Sequence, residues 1–223
     1  MDSKEKPASY YNDLFKSNVA YQVHYKDSFY YVHWTQVIVL LKKIGNPRIL
    51  EIGCGTGQFA EYLHDEGFVE YSGFDFSAEA IEVAKARLRA DFFVGNALAP
   101  ESYVRPFDTV VCLEVLEHIK NDVEIFNLLP QGTSILFSVP NFDDPSHVRW
   151  FTSERQIKQR YIRYVDFRAI IRVGNIYICW GVVNRFRPNP LQRLLVTREQ
   201  IGLQSFTKRI RHHVKNILKV KTL

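Results

Sequence analysis

Short apolar runs and helical patterns alternate along this chain between about residue 34 and residue 139. Five runs have the length and composition of buried strands: 48–52, 71–75, 91–94, 107–113 and 133–139. Four stretches repeat apolar residues at helical spacing: 34–44, 58–63, 78–88 and 122–129. Strands that alternate with helices predict a doubly wound α/β fold with a mostly parallel sheet.

The pattern changes to a period of two near the end of this region. Apolar residues alternate along 165–173, Gly174 and Asn175 follow, and a second apolar run covers 176–183. Two strands joined by a Gly-Asn pair are typical of a β-hairpin. We therefore predict that the sheet ends in an antiparallel strand.

The first strand runs into three glycines at alternate positions, Gly53, Gly55 and Gly57, and a helix follows. In such a turn, backbone N–H groups can approach a ligand at the positive end of a helix. The second strand ends at Asp75, 18 residues after Gly57, where a carboxylate can accept hydrogen bonds from ribose hydroxyls. These features predict a cofactor that contains a nucleoside.

The glycine spacing alone leaves a nicotinamide or flavin dinucleotide open, because Gly55, Gly57 and Ala60 satisfy its pattern. Glu51 favours a different cofactor, since an anion suits an ammonium group better than a pyrophosphate. Five segments in order, ILEIGCGTGQFA, GFDFS, VGNA, FDTVVCLEVLEHI and SVPN, resemble the class I S-adenosylmethionine-dependent methyltransferase family. They cover about residues 48–141, and the ubiquinone-pathway O-methyltransferases are among the relatives that they resemble.

The resemblance implies a Rossmann-like fold, S-adenosylmethionine as cofactor and a set of contacts to it. Gly53, Gly55 and Gly57 would line its methionine part, Asp75 would bridge the ribose hydroxyls, and Phe76 would pack on the adenine. Asn96 and Ala97 would border the exocyclic amine, although the family more often has Asp where this chain has Asn96. The full predicted set is Glu51, Gly53, Cys54, Gly55, Gly57, Asp75, Phe76, Asn96, Ala97, Leu113 and Glu114.

Glu114, Glu117 and His118 are spaced so that, on a helical turn, they would share one face. With His147 they resemble the set of metal-assisted relatives, among them small-RNA 2′-O-methyltransferases. Such a set could hold Mg²⁺, or a histidine could act as a base. We predict His118 and His147 as catalytic proton acceptors, and no metal.

Composition and charge restrict the number of domains, the type of cysteine chemistry and the compartment that we expect. The 223 residues allow one α/β domain, and three separated cysteines without a C-x-x-C pair predict neither a disulfide framework nor a zinc site. With no signal-peptide pattern and no long apolar stretch, we predict a soluble, cytoplasmic protein. The net charge is +5, but residues 185–223 hold ten basic residues and one acid, so the remainder is mildly acidic.

We divide the chain into an aromatic N-terminal lid segment (1–34), a methyltransferase domain (35–184) and a basic C-terminal extension (185–223). The predicted activity is methyl transfer to a small-molecule or glycan-type acceptor, at oxygen. Nucleic acid is not expected as a partner, and the extension predicts peripheral contact with an anionic membrane surface. Two alternatives stay open: an RNA 2′-O-methyltransferase and a non-catalytic cofactor-binding subunit.

Overall fold

The computed structural model describes residues 5–184, which contain a seven-stranded sheet. The strands are β1 Ile49–Ile52, β2 Tyr71–Asp75, β3 Asp91–Val94, β4 Thr109–Cys112, β5 Ser134–Pro140, β6 Val165–Val173 and β7 Ile176–Val183. Their order across the sheet is β3-β2-β1-β4-β5-β7-β6. Strands β1 to β5 are parallel, and β7 is antiparallel to β5 and β6. The predicted fold class and its antiparallel end are confirmed.

Six α-helices connect or cover these strands: α1 Ala8–Ser17, α2 Tyr31–Ile44, α3 Gln58–Asp65, α4 Ala78–Arg87, α5 Val123–Leu128 and α6 Glu154–Tyr161. Helix α2 begins three residues before the predicted start. Helices α1 and α6 are not among the predicted elements. Helix α1 buries no residue, and α6 buries only Ile157 and Tyr161, so neither has the broad apolar stripe of a core helix.

The central strands β1, β4 and β5 are buried on both faces, which explains their nearly continuous apolar sequences. All four residues of β1 are buried. Leu50 and Ile52 belong to the core cluster on one face, while Ile49 packs with residues of α2 and α3 on the other. Glu51 is the polar exception in this strand, and it is only 3% exposed.

The segment between α1 and α2 is anchored to the domain through Tyr25 and through side chains that bind its backbone. Tyr25 is 2% exposed, stacks on Tyr62 and donates a hydrogen bond to Asp65 at 2.7 Å. Gln58 and Arg87 bind backbone carbonyls of residues 20–23. These contacts fix residues 20–25 to the domain, and the lid role of the aromatic N-terminal segment (1–34) stays a prediction.

Within residues 5–184, none of the helices has both the length and the apolar character needed to cross a membrane. The predicted C-terminal extension, residues 185–223, lies outside the described residues, as do residues 1–4.

Candidate cofactor and acceptor site

The strand order reverses beside β1, and ligands of open α/β sheets bind at the carboxyl ends of the strands at such a point. Here three adjoining cavities open. The β2-side cavity includes Asp75, Phe76, Asn96 and Ala97, and the α3-side cavity includes Glu51, Cys54, Gly55 and Leu113. An outer cavity of about 510 Å³ includes His147. Tyr11, Glu114 and His118 line all three.

The glycine turn is held by its own amides rather than leaving them free. The N–H groups of Gly53 and Cys54 both donate to the Phe74 carbonyl, at 2.8 and 3.0 Å, and Gly55 N–H donates to Asp75 Oδ2 at 3.0 Å. The expectation that these N–H groups are available to a ligand is therefore wrong. They fix the shape of the turn, and Gly53 and Gly55 still line the α3-side cavity.

Gly57 has a different position from the one predicted. It is the N-cap of α3, with a φ of 77°, and it lines none of the three cavities. A Cβ there would lie 3.1 Å from the Ala84 Cβ. Gly57 thus permits the close packing of α3 and α4, and direct cofactor contact is not supported.

Asp75 is 5% exposed, and its two carboxylate oxygens are oriented by backbone amides. Ser77 N–H donates to Oδ1 at 2.9 Å, and Gly55 N–H donates to Oδ2. Burial raises the pKa of Asp75 to about 6, against the lowering effect of these hydrogen bonds. Each oxygen keeps a lone pair that could accept from a ligand hydroxyl.

The other predicted contacts on the β2 side are in place around this carboxylate. Phe76 is 39% exposed and its ring centroid lies 5.1 Å from that of Tyr11 on α1. The Asn96 side-chain oxygen accepts from Leu98 N–H at 2.8 Å, which fixes the amide group. Its second lone pair and its NH₂ group are left for a ligand.

Glu51 and Cys54 lie on the α3 side of the glycine turn. Burial raises the pKa of Glu51 to about 8, while a hydrogen bond from the Tyr71 hydroxyl at 2.5 Å acts in the opposite direction. Cys54 is buried, and burial raises its thiol pKa well above the ordinary value. This thiol is therefore protonated and unsuited to nucleophilic catalysis at neutral pH.

The segment after β4 does not form the predicted helical face. Glu114 has a φ of 54° and precedes a 3₁₀ turn that covers Leu116–His118. Glu114 accepts a hydrogen bond from the Ser138 hydroxyl at 2.6 Å, and its own N–H donates to that hydroxyl at 2.7 Å. The two glutamates still approach each other, and burial together with their mutual repulsion raises the pKa of Glu114.

His118 and His147 come together at the outer cavity, with ring centroids 5.1 Å apart. The Nδ1 atom of His118 lies 3.0 Å from the Ser146 carbonyl, and that of His147 lies 3.3 Å from the Phe142 carbonyl. Because a carbonyl can only accept, each Nδ1 carries the hydrogen and Nε2 presents a lone pair. Burial lowers the pKa of both rings, which favours the neutral form of each.

Arg149 is a residue that the sequence analysis missed. Its guanidinium donates to the carbonyls of Leu116, Ile119 and Lys120, and it pairs with Asp122 at 3.4 Å. It thereby ties the segment of His118 to that of His147. The only signal in the sequence is that Arg149 follows the predicted site residue His147 by two positions.

Glu117, His118 and His147 could also hold a cation. One ligand atom from each lies within 4.8 Å of the others, and both Glu117 oxygens are buried without a hydrogen-bond partner. Carboxylate and imidazole are suitable ligands for several divalent metals. The absence of a resident metal stays a prediction.

Comparison with known proteins agrees with this geometry. A family model described as a methyltransferase domain matches residues 26–177, most of the described chain. The chain belongs to the methyltransferase domain family. Within that family its class is the S-adenosylmethionine-dependent methyltransferases of class I, and S-adenosylmethionine is the cofactor.

Individual relatives are distant. A ubiquinone biosynthesis O-methyltransferase of Azoarcus sp. strain BH72 is 31% identical over 108 residues, which are 44% of this chain and 46% of that protein. The chain spans about half the length of the curated relatives it matches.

Two solved structures share the fold. The PH0226 protein of Pyrococcus horikoshii OT3 has a TM-score of 0.62 at 16% identity, covering 77% of this chain and 99% of that one. Magnesium protoporphyrin IX methyltransferase of Synechocystis PCC 6803, with bound SAM, has a TM-score of 0.59 at 17% identity, covering 82% of this chain and 100% of that one.

The residues around the crevice fit this methyltransferase cofactor. The Asp75 carboxylate has lone pairs that can accept hydrogen bonds from the ribose hydroxyls. Phe76 and Asn96 border a space suited to adenine. Glu51 offers a buried carboxylate that an ammonium group would neutralise. The individual contacts stay predictions.

Proposed function

We propose that this protein transfers a methyl group from S-adenosylmethionine to a hydroxyl oxygen of a small-molecule or glycan-type acceptor in the outer cavity. The observation that carries the proposal is the junction of the three cavities at Tyr11, Glu114 and His118. A cofactor in the two inner cavities would have its centre beside the opening of the outer one. An acceptor there would be held next to two imidazole rings.

The cofactor, when bound, supplies an activated methyl group on a sulfonium. The protein's task is then mostly alignment of acceptor oxygen, methyl carbon and sulfur, and such orientation can be worth about 7–11 kcal/mol. The C–S bond breaks with its electron pair left on sulfur, and a C–O bond forms. The hydroxyl proton passes to the Nε2 atom of His118 or His147.

The walls of the outer cavity support an acceptor without phosphate groups. Among residues 5–184, no Lys or Arg lines it, whereas Glu114 and Asp144 do. Aromatic side chains make up much of the lining, namely Tyr10, Tyr11, Tyr21, Phe29, Tyr30 and Phe142. Rings and neutral hydroxyl groups suit such walls better than a nucleic-acid backbone, which binds through basic groups.

Transfer to oxygen has further support from the curated relatives, whose printed names describe O-methyltransferases. Neutral histidines also agree with it, because a hydroxyl must lose its proton during or after methyl transfer. The test is incubation of the protein with methyl-labelled cofactor and a fractionated pool of neutral hydroxyl metabolites and oligosaccharides. We expect label on oxygen of one such compound and its loss in His118→Ala or His147→Ala; label on nitrogen or on RNA would contradict the proposal.

A second candidate is metal-assisted methyl transfer, favoured by the Glu117 oxygens, which have no hydrogen-bond partner and lie beside two imidazoles. A divalent cation there could bind the acceptor oxygen and lower the pKa of its hydroxyl. Turnover would then stop with EDTA and return with Mg²⁺ or another divalent metal. Turnover unaffected by EDTA would contradict metal assistance and agree with proton transfer to a histidine.

The non-catalytic alternative has its own test. A cofactor-binding subunit without activity would bind S-adenosylmethionine and yield no S-adenosylhomocysteine with any acceptor pool.

We propose action in the cytoplasm, with the basic extension (185–223) making peripheral contact with anionic membrane surfaces. Its ten basic residues against one acid support this. Co-sedimentation with vesicles containing phosphatidylserine tests it. We expect binding that decreases with salt and that is lost when residues 185–223 are removed; equal binding to neutral vesicles would contradict it.

A further inference from the structure

Two exposed phenylalanine rings lie at the opening of the outer cavity. Phe29, shortly before α2, is 58% exposed, and Phe142, shortly after β5, is 40% exposed. Both side chains line the outer cavity and neither lines the two inner ones. Because these side chains line a cavity and yet keep much of their surface in contact with solvent, they mark its opening.

These rings differ from scattered exposed apolar residues, which are ordinary on protein surfaces. Both belong to one cavity, and its volume of about 510 Å³ lies in the range of about 300–1,000 Å³ that is typical of ligand pockets. The Phe142 ring centroid lies 5.3 Å from that of His147, and the Phe29 centroid lies 4.0 Å from that of Tyr30, which also lines the cavity. A ligand held on these rings would therefore continue into the predicted acceptor position.

Hydrogen-bonding groups line the same cavity as the rings. Asp144 Oδ1 accepts from the N–H and the hydroxyl of Ser146, at 2.8 and 2.6 Å, which orients the carboxylate and leaves Oδ2 for a donor on a ligand. Asn175, in the turn between β6 and β7, adds a side-chain amide that can donate and accept. Its carbonyl accepts from Asn141 N–H at 2.8 Å, so this turn lies beside the segment that carries Phe142.

An uncharged sugar is the class of ligand that matches this combination. The faces of a sugar ring present C–H groups, which pack on aromatic rings, and its edges present hydroxyl groups, which bind carboxylate oxygens and amides. A phosphorylated ligand would find no Lys or Arg among the described residues that line the outer cavity. An anionic membrane surface does not fit either, because Asp143 and Asp144 directly follow Phe142 and would be repelled.

We propose that the acceptor is an uncharged oligosaccharide and that Phe29 and Phe142 form a stacking subsite for it at the opening of the outer cavity. The unit that receives the methyl group lies inside the cavity beside His118 and His147, and the next unit of the chain packs on the exposed rings. This inference rests on the proposed function for the location of the acceptor, and it narrows the class of acceptor to one that extends beyond a single sugar unit.

The test begins with binding of the protein, loaded with S-adenosylhomocysteine, to an array of short uncharged oligosaccharides. The oligosaccharide that binds best and its constituent monosaccharides are then titrated in a calorimeter. We expect the oligosaccharide to bind at least about tenfold more tightly than any of the monosaccharides, a difference of about 1.4 kcal/mol. The double variant Phe29→Ala/Phe142→Ala should reduce this advantage to about threefold or less and leave the affinity for S-adenosylhomocysteine unchanged.

Trp150→Ala is the matched control, because Trp150 is an aromatic residue of similar exposure, 43%, that lines none of the three cavities. It should bind the oligosaccharide as the wild type does. Three results would overturn the inference: no binding to any oligosaccharide of the array, equal affinity for oligosaccharide and monosaccharide, or an unchanged advantage in the double variant.

Failure of the proposed function would be seen separately, because binding is measured without methyl transfer. Label on oxygen of a small metabolite, without oligosaccharide binding, would support the proposed function and overturn the inference. Oligosaccharide binding that depends on the two rings, with label on nitrogen or on RNA, would support the stacking subsite and contradict the proposed function.

Discussion

Replacing Glu51 by glutamine should stabilise the cofactor-free protein while weakening cofactor binding. Glu51 is the buried carboxylate of β1, with the Tyr71 hydroxyl as its hydrogen-bond donor. Glutamine has the same shape and keeps an oxygen for that hydroxyl. The substitution therefore removes little besides the negative charge.

The size of the effect follows from the pKa of Glu51, which burial raises from 4.5 to about 8. Because one pKa unit corresponds to 1.36 kcal/mol, the ionised carboxylate costs the folded state up to about 5 kcal/mol. A raised pKa means that the folded protein binds more protons than the unfolded chain between these two pH values. The stability contributed by the protonated form is thus fully present below about pH 4.5, and it is lost progressively as the pH rises from there through about 8.

Urea unfolding of wild type and Glu51→Gln at pH 5 and pH 8.5, without cofactor, tests this reasoning. The free energies of unfolding should agree within about 1 kcal/mol at pH 5, and the variant should be more stable by several kcal/mol at pH 8.5. Glu82→Gln is the control, because it removes one negative charge from an exposed position on α4. Its free energy of unfolding should follow that of the wild type at both pH values. A difference between Glu51→Gln and wild type that does not change with pH would refute the reasoning.

Three further predictions concern the glycine turn, the Asp75 carboxylate that is expected to bind the ribose, and the proposed base. Gly53→Ala should lower the free energy of unfolding by more than about 2 kcal/mol beyond Gly67→Ala, because both have positive φ but only the Gly53 Cβ would lie 2.3 Å from a Val115 methyl; equal losses in urea unfolding would contradict this. Asp75→Asn should weaken S-adenosylmethionine binding in calorimetry by about tenfold or more, since it removes a charged acceptor; unchanged affinity would exclude a ribose contact. With an acceptor identified and S-adenosylmethionine at saturation, kcat/KM for the acceptor should stay constant down to below about pH 6.5, because burial lowers the pKa of His118 and the neutral ring is the base; a decline that begins above about pH 7 would exclude His118 as the base.

The parts of the fold that the sequence predicted are those with a periodic apolar pattern. Strand β3 and the β6–β7 hairpin have the predicted bounds, because burial and turn chemistry act locally there. Helices α1 and α6 were missed because each buries too few residues to leave a stripe. The core position of Tyr25 was also missed, since contacts with Tyr62 and Asp65 join residues 37 and 40 positions apart.

At the site, the sequence indicated the correct segments but not the local geometry. Asp75, Phe76 and Asn96 line one cavity, as the order of the motifs predicts. The spacing of Glu114 and Glu117 predicted a helix face, whereas the backbone turns left-handed at Glu114. The hydrogen bond that Gly53 N–H donates to the Phe74 carbonyl depends on the register of neighbouring strands, which glycine spacing does not show.

The central claim is that the crevice beside β1 holds S-adenosylmethionine, with its sulfonium at the junction of the three cavities. A crystal structure with this cofactor or sinefungin tests it most directly. We predict adenine beside Phe76 and Asn96, the ribose hydroxyls at Asp75, and the cationic centre next to Glu114. An empty crevice, or a dinucleotide pyrophosphate bound at the glycine turn, would contradict the account.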